Sequence, residues 1–149
     1  MACTERTMHV TPDQIWAVLA DPMTYEHWVV GAKDIRTADG TWPEPGSALH
    51  HTSGFGPFNL KDSTKVLEAE PPRRLVLEAR GRPLGIARIE VRLQPDGSAT
   101  KVAMIEEVVR PMPAKATRGA LNPLIHSRNV ETLRRLEELA KKRAGVPAS

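Results

Sequence analysis

Residues 11–22 read Thr-Pro-Asp-Gln-Ile-Trp-Ala-Val-Leu-Ala-Asp-Pro, and this stretch carries two helix starts in twelve positions. Thr11 supplies a cap hydroxyl, Pro12 suits the first helical position, and Gln14 stands three residues after the cap, the spacing of a capping box. The spacing predicts a helix from Pro12 to about Ala20, with Ile15, Trp16, Val18 and Leu19 as its buried stripe. Asp21-Pro22 repeats the signal, so a second short helix is expected over Pro22–His27, with Trp28 anchoring its end. Ahead of both, residues 4 to 10 read as a first strand.

From Val29 onward helical periodicity gives way to hairpin signals. Asp39-Gly40 and Asp96-Gly97 are tight-turn pairs, Gly54-Phe-Gly56-Pro57 reads as a bulged turn, and Pro71-Pro72 and Pro83 interrupt any strand that reaches them. Leu75, Leu77 and Ala79 alternate with Val76, Glu78 and Arg80, and Ala87, Ile89, Val91 and Leu93 alternate with Ile86, Arg88, Glu90 and Arg92. That pattern predicts an antiparallel sheet with one apolar face and one wet, charged face. Asn122-Pro123 then opens a last helix, expected over Pro123–Arg143 and about 32 Å long at 1.5 Å per residue. Ile125, Asn129, Thr132, Leu136 and Leu139 fall on one side of it, with Leu133 and Ala140 at the edge. Ser127, Arg134, Glu137 and Glu138 fall on the other.

The 149 residues suit one domain over 1–149 with a core from about 4 to 143 and a flexible last few residues. The thirteen prolines scatter among turns, and no Ser/Gly-rich linker separates two units. Basic residues exceed acidic ones by only three, and the two signs are interspersed, which argues against a nucleic-acid-binding stripe. One cysteine, Cys3, excludes an internal disulfide and suits a reducing compartment. No apolar run reaches the ~20 residues of a membrane helix. The expectation is a cytoplasmic protein, monomer or homodimer, without nucleic-acid partner or stable membrane association.

The capped run 11–22 with Tyr25 and Trp28, together with Val66-Leu-Glu-Ala-Glu-Pro-Pro-Arg-Arg-Leu, Asp96-Gly97 ahead of Thr100-Lys-Val, and Asn129-Val-Glu-Thr-Leu-Arg-Arg-Leu, resembles the helix-grip superfamily. This SRPBCC, or START-like and Bet v 1-like, group includes the polyketide cyclases/dehydrases, to which the chain looks most similar. The resemblance implies an α+β fold: a curved seven-stranded antiparallel sheet around a long C-terminal helix, two short helices after the first strand, and an internal cavity. It implies no fixed catalytic set, because members range from lipid carriers to cyclases and co-chaperones.

Dinucleotide, P-loop, nucleophile-elbow and zinc-protease motifs are absent, so no metal or cofactor is expected. Polar residues at inward positions are then the candidates, since burying them in a filled core is costly unless they are paired or face a cavity. Asn129 and Thr132 interrupt the apolar stripe of the last helix, with Arg128 on its flank; the alternative is that Asn129 bonds nearby backbone and Thr132 packs. His50 and His51 point to opposite faces of a strand. Counting from Leu49 turns His51 inward, and counting from Ala48 turns His50 inward. Glu106 and Glu107 pose the same choice, with Val102 and Met104 favouring Glu106. His51 and Glu106 are the candidate acid/base groups. Trp28 and Phe55 are candidate cavity-mouth residues, Trp16 is core, Tyr25 offers a hydroxyl if it turns inward, and His126 is surface.

The leading expectation is a binder of a small hydrophobic, aromatic or lipid-like molecule, with Trp28, His51, Phe55, Glu106, Arg128, Asn129 and Thr132 as contacts. The alternatives are a polyketide cyclase/dehydrase-like enzyme using the same interior, and a co-chaperone-like interaction module that uses the wet sheet face.

Overall fold

The structure is a computed structural model that describes residues 2–55, 58–81, 85–111 and 118–145. Its seven strands are β1 (Ala2–Met8), β2 (Ala32–Ala38), β3 (Ala48–Phe55), β4 (Phe58–Glu70), β5 (Arg74–Gly81), β6 (Gly85–Asp96) and β7 (Ala99–Pro111). The helices are α1 (Pro12–Leu19), α2 (Tyr25–Trp28) after a 3-10 turn over Pro22–Thr24, and α3 (Arg118–Ala144). One antiparallel sheet contains all seven strands in the order β1-β7-β6-β5-β4-β3-β2. The chain thus meanders from β2 to β7, and β1 closes on β7. This is the helix-grip arrangement, α+β, with α3 packed against α1, α2 and β1.

The capping box forms as its spacing requires. The Gln14 backbone N–H donates to Thr11 Oγ1 at 3.2 Å and the Thr11 N–H donates to Gln14 Oε1 at 2.9 Å. Asp21 caps the next turn by accepting from the Met23 N–H at 3.0 Å. Of the expected stripe on α1, Ile15, Val18 and Leu19 are buried, whereas Trp16 is only partly buried against the core. Positions 15, 18 and 19 lie within one helical face, and position 16 stands a hundred-degree step away from it.

Asp96-Gly97 makes the tight β6–β7 turn, with Gly97 at φ +61° and Asp96 opposite Ala99. Asp39-Gly40 makes a tight turn, the Trp42 N–H donating to the Asp39 carbonyl at 3.1 Å, but not a two-residue hairpin. β2 ends at Ala38 and β3 begins at Ala48, and the intervening segment is held by Asp39, whose N–H donates to the Ala48 carbonyl and whose Oδ2 accepts from the Ala48 N–H, both at 2.9 Å. The Asp side chain clamps a wide loop in place of closing a narrow one. Gly56 and Pro57 of the expected bulged turn, and Pro83, lie outside the described residues.

Helix α3 starts five positions before its expected first residue and carries Pro123 inside it. Proline lacks one N–H, so the helix forgoes the bond to residue 119 there. The other end follows rule: Lys141, Lys142 and Arg143 occupy the last turn, where cations complement the dipole, and Gly145 takes φ +73° just beyond it.

Leu133, Leu136 and Ala140 of α3 share one core with Leu49, Val66, Leu75, Leu77, Ile89, Val91, Leu93, Val102 and Met104 of the sheet and with Tyr25, Trp28 and Trp42. Two carboxylates depart from the expected wet faces. Glu90, on the charged face of β6, is 3 % exposed because Arg74, Arg88 and Arg92 lie against it, Arg74 Nε at 3.1 Å and Arg88 Nη1 at 3.4 Å. Glu137, expected on the outer side of α3, is also buried; it accepts from Arg6 Nε at 2.8 Å and from the His9 N–H at 3.1 Å. Helical spacing alone placed Glu137 outside, but α3 has a second packed side against β1.

Candidate functional site

Two polar groups lie buried between the sheet and α3, and the Tyr25 hydroxyl of the first feels the charges of the second. The first begins at α2, whose single turn projects Tyr25 into the core. Its hydroxyl lies 2.8 Å from Thr64 Oγ1 on β4, and Thr64 Oγ1 lies 3.0 Å from His51 Nε2 on β3. The Tyr25 and His51 rings are 5.3 Å apart, and Trp28 and Trp42 meet Tyr25 edge-on at 5.5 Å and 6.5 Å. Trp42 is itself fixed by donating its indole N–H to the Leu19 carbonyl at 3.1 Å. Aromatic packing therefore sets the aim of the Tyr25 hydroxyl.

Strand alternation decides the histidine. Leu49 and His51 are buried and His50 is exposed, so His51 shares the inward face with Leu49. The same rule on β7 turns Thr100, Val102, Met104 and Glu106 inward and leaves Lys101 and Glu107 exposed.

Glu106 anchors the second group. Arg128 on α3 donates through Nη2 to Glu106 Oε1, and the same nitrogen lies 3.4 Å from Asn129 Oδ1. Because a guanidinium only donates, this contact identifies the amide oxygen and leaves the amide nitrogen on the other side. Asn129 is fully buried, and among the described residues its Nδ2 is a buried donor with no hydrogen-bond partner. One turn on, buried Thr132 accepts from the Val30 N–H at 3.2 Å, tying α3 to the end of α2.

Burial shapes the proton affinities. It pushes the Tyr25 hydroxyl up to about 12, against the Thr64 bond and the nearby Arg128 charge. Burial likewise pushes His51 down, with the Asp62 carboxylate pulling the other way, so the imidazole is held towards its neutral form. Burial raises Glu106, while contact with Arg128 opposes the rise. The interior thus contains an imidazole and a phenol held towards their neutral forms, with the Glu106–Arg128 ion pair nearby and the Asp62 carboxylate beside His51. Such groups can exchange hydrogen bonds, and a proton that His51 takes from a bound acid leaves an imidazolium beside the anion it came from.

Of the expected contacts, His51, Glu106, Arg128, Asn129 and Thr132 converge on this interior. Trp28 is 2 % exposed and packs on Tyr25, so it belongs to the core wall and not to an open mouth. The side chain of Phe55 lies outside the described residues. His126 is exposed, as its helical position suggests, and its Nδ1 lies 3.2 Å from Thr4 Oγ1. Thr64 and Asp62 escaped the reading of the sequence, although Val66 is an evident core residue and alternation from it carries 64 and 62 inward. Both are 3 % exposed or less. Arg36 was missed too; it donates to the carbonyls of His51 at 3.1 Å and Asp62 at 3.3 Å, and an isolated arginine in a strand gives no such sign. Among the described residues no three His, Cys, Asp or Glu side chains are grouped as metal ligands would be, and no helix is long and apolar enough to cross a membrane.

A family model described as polyketide cyclase / dehydrase and lipid transport matches residues 2–141. The chain belongs to that family. Among solved structures, this polyketide cyclase/dehydrase-family chain is similar to a Rhodobacter sphaeroides protein at 21% identity, with 94% of this chain and 91% of that one covered and a TM-score of 0.72. A Thermus thermophilus protein shares 14% identity over 95% and 97% of the two chains, TM-score 0.68. The di-domain ARO/CYC protein StfQ of the steffimycin biosynthetic pathway shares 12% identity at TM-score 0.74; the match covers 97% of this chain and 52% of StfQ, so this chain spans about half of it. No curated protein matches the sequence. At these identities the structural likeness speaks for the fold, and the family description spans both catalysis and carriage.

Proposed function

We propose that this family member encloses a small, mainly apolar or aromatic molecule between α3 and the inward face of the sheet. The observation that carries the reading is the convergence of Tyr25, His51, Thr64, Glu106 and Arg128 from five separate elements inside an apolar shell. A core built only for stability gains little from an interior ion pair, whose desolvation offsets its attraction. A ligand interior needs a few fixed polar groups among apolar walls, with burial supplying affinity at about 25 cal/mol per Å². Native mass spectrometry and thermal shift with two- and three-ring aromatic ketones and fatty-acyl methyl esters test it. One-to-one complexes and a raised Tm are expected; the absence of both across the panel overturns the reading.

A second reading, catalysis of the polyketide cyclase/dehydrase kind, is favoured by the His51–Thr64–Tyr25 chain. A neutral imidazole joined through a hydroxyl to a phenol of high proton affinity is suited to take a proton from a carbon acid and stabilise the resulting oxyanion by hydrogen bonding. His51→Ala and Glu106→Gln variants that fold yet lose turnover of an aromatic polyketide support it. Unchanged turnover in both removes these residues from the chemistry.

A further inference from the structure

The reading as a ligand binder leaves open which polar function the ligand carries, and the surroundings of Asn129 restrict it. Asn129 sits on the buried side of α3 with Ile125, Thr132, Leu133 and Leu136, and none of its side chain is exposed. Its Oδ1 faces Arg128 and its Nδ2 has no hydrogen-bond partner among the described residues. An amide NH2 can only donate, so its complement is an acceptor oxygen. A buried donor left without one costs about 1–3 kcal/mol, a penalty that an entering carbonyl removes.

Charge narrows the choice further. The cation nearest this amide, Arg128, is already paired with Glu106, which is 3 % exposed and fixed on β7. A ligand carboxylate arriving at Nδ2 meets a neutralised guanidinium and the like charge of Glu106, after losing its own hydration. Across the interior, His51 is bordered by Asp62 and Arg36, again one charge of each sign. A neutral oxygen meets none of these penalties.

We propose that the interior selects neutral, carbonyl-bearing ligands, whose oxygen accepts a hydrogen bond from Asn129 Nδ2, and discriminates against the corresponding free carboxylates through Glu106. This rests on the ligand-binding reading above and specifies the ligand class for the same site.

Three probes of one shape separate the possibilities: naphthyl methyl ketone, naphthoate and ethylnaphthalene, each titrated at neutral pH with tryptophan fluorescence or calorimetry. In the unsubstituted protein the ketone is expected to bind about threefold to tenfold more tightly than the hydrocarbon, the range of one net hydrogen bond. Naphthoate is expected to bind more weakly than either. In Asn129→Leu the ketone falls to the hydrocarbon's affinity. In Glu106→Gln the carboxylate gains at least about tenfold as Arg128 becomes available. The ranking in the unsubstituted protein decides the matter even if Asn129→Leu does not fold. Ketone and hydrocarbon binding equally assigns Nδ2 to internal water and overturns the inference while leaving ligand binding intact. Naphthoate binding most tightly also overturns it. If none of the three binds, the binding reading fails and the inference with it.

Discussion

Arg128 of α3 reaches Glu106 of β7 and thereby fixes the last helix to the strand next to the sheet edge. The two side chains differ in exposure, 27% for Arg128 and 2% for Glu106, so the arginine acts as a half-covered lid over a buried carboxylate. Their mutual attraction is offset by what both lose in hydration. The structural value of the contact lies in what happens when only one member is present.

Replacing Arg128 with Met leaves Glu106 buried without its counter-ion. The fold is expected to lose about 3 kcal/mol, the lower part of the range for a broken buried pair, because Arg128 is partly open to solvent. Adding Glu106→Gln removes the stranded charge, so the double variant should recover most of the loss. Urea unfolding of the two single variants and the double variant measures the coupling. A strictly additive cycle would falsify the pairing.

His51 makes stability depend on pH in a definite direction. Its folded pKa lies below the ordinary 6.5 because burial disfavours the imidazolium. Between those two values the unfolded chain binds a proton that the folded chain does not, so the imidazole's contribution to stability falls as pH drops from about 7 through the folded pKa. Glu106, raised by burial, works in the opposite sense. The clean readout is therefore the difference between the unsubstituted protein and His51→Gln. The unsubstituted protein should lose more Tm than the variant between about pH 7.5 and 5.5; parallel losses would place His51 in water.

The elements were legible wherever a local rule is strong. Thr11, Gln14 and Asp21 cap helices because of their own chemistry, and Leu49 and Val102 carry strand alternation into His51 and Glu106. What escaped has a nonlocal origin. Glu137 is buried because Arg6 of β1 and the His9 N–H just beyond that strand arrive from more than a hundred residues earlier in the chain. Glu90 is covered by arginines from β5 and its own strand, so a charged face that alternation marks as wet is closed by its own side chains. The Asp39-Gly40 pair has the composition of a hairpin turn, but the bonds that decide its loop come from Ala48. The Tyr25 hydroxyl was legible as an inward candidate, but its partner Thr64 was not, because it lies across the sheet on β4.

Tyr25 also supplies a test with an internal reporter, because it is the chain's single tyrosine. Burial pushes its hydroxyl up to about 12, whereas an open phenol ionises near 10. Phenolate absorbance should therefore stay low through pH 10 and rise near 12 or together with unfolding. Over that interval the unfolded chain releases a proton that the folded chain retains, so stability falls as pH rises. Tyr25→Phe should abolish this alkaline loss. It should also cost about 0.5–1.5 kcal/mol at neutral pH for the bond to Thr64, while the edge-on contacts with Trp28 and Trp42 persist and preserve the near-ultraviolet dichroism. A phenolate signal with its midpoint near 10 in the folded protein would place the hydroxyl in water and detach it from Thr64 and His51.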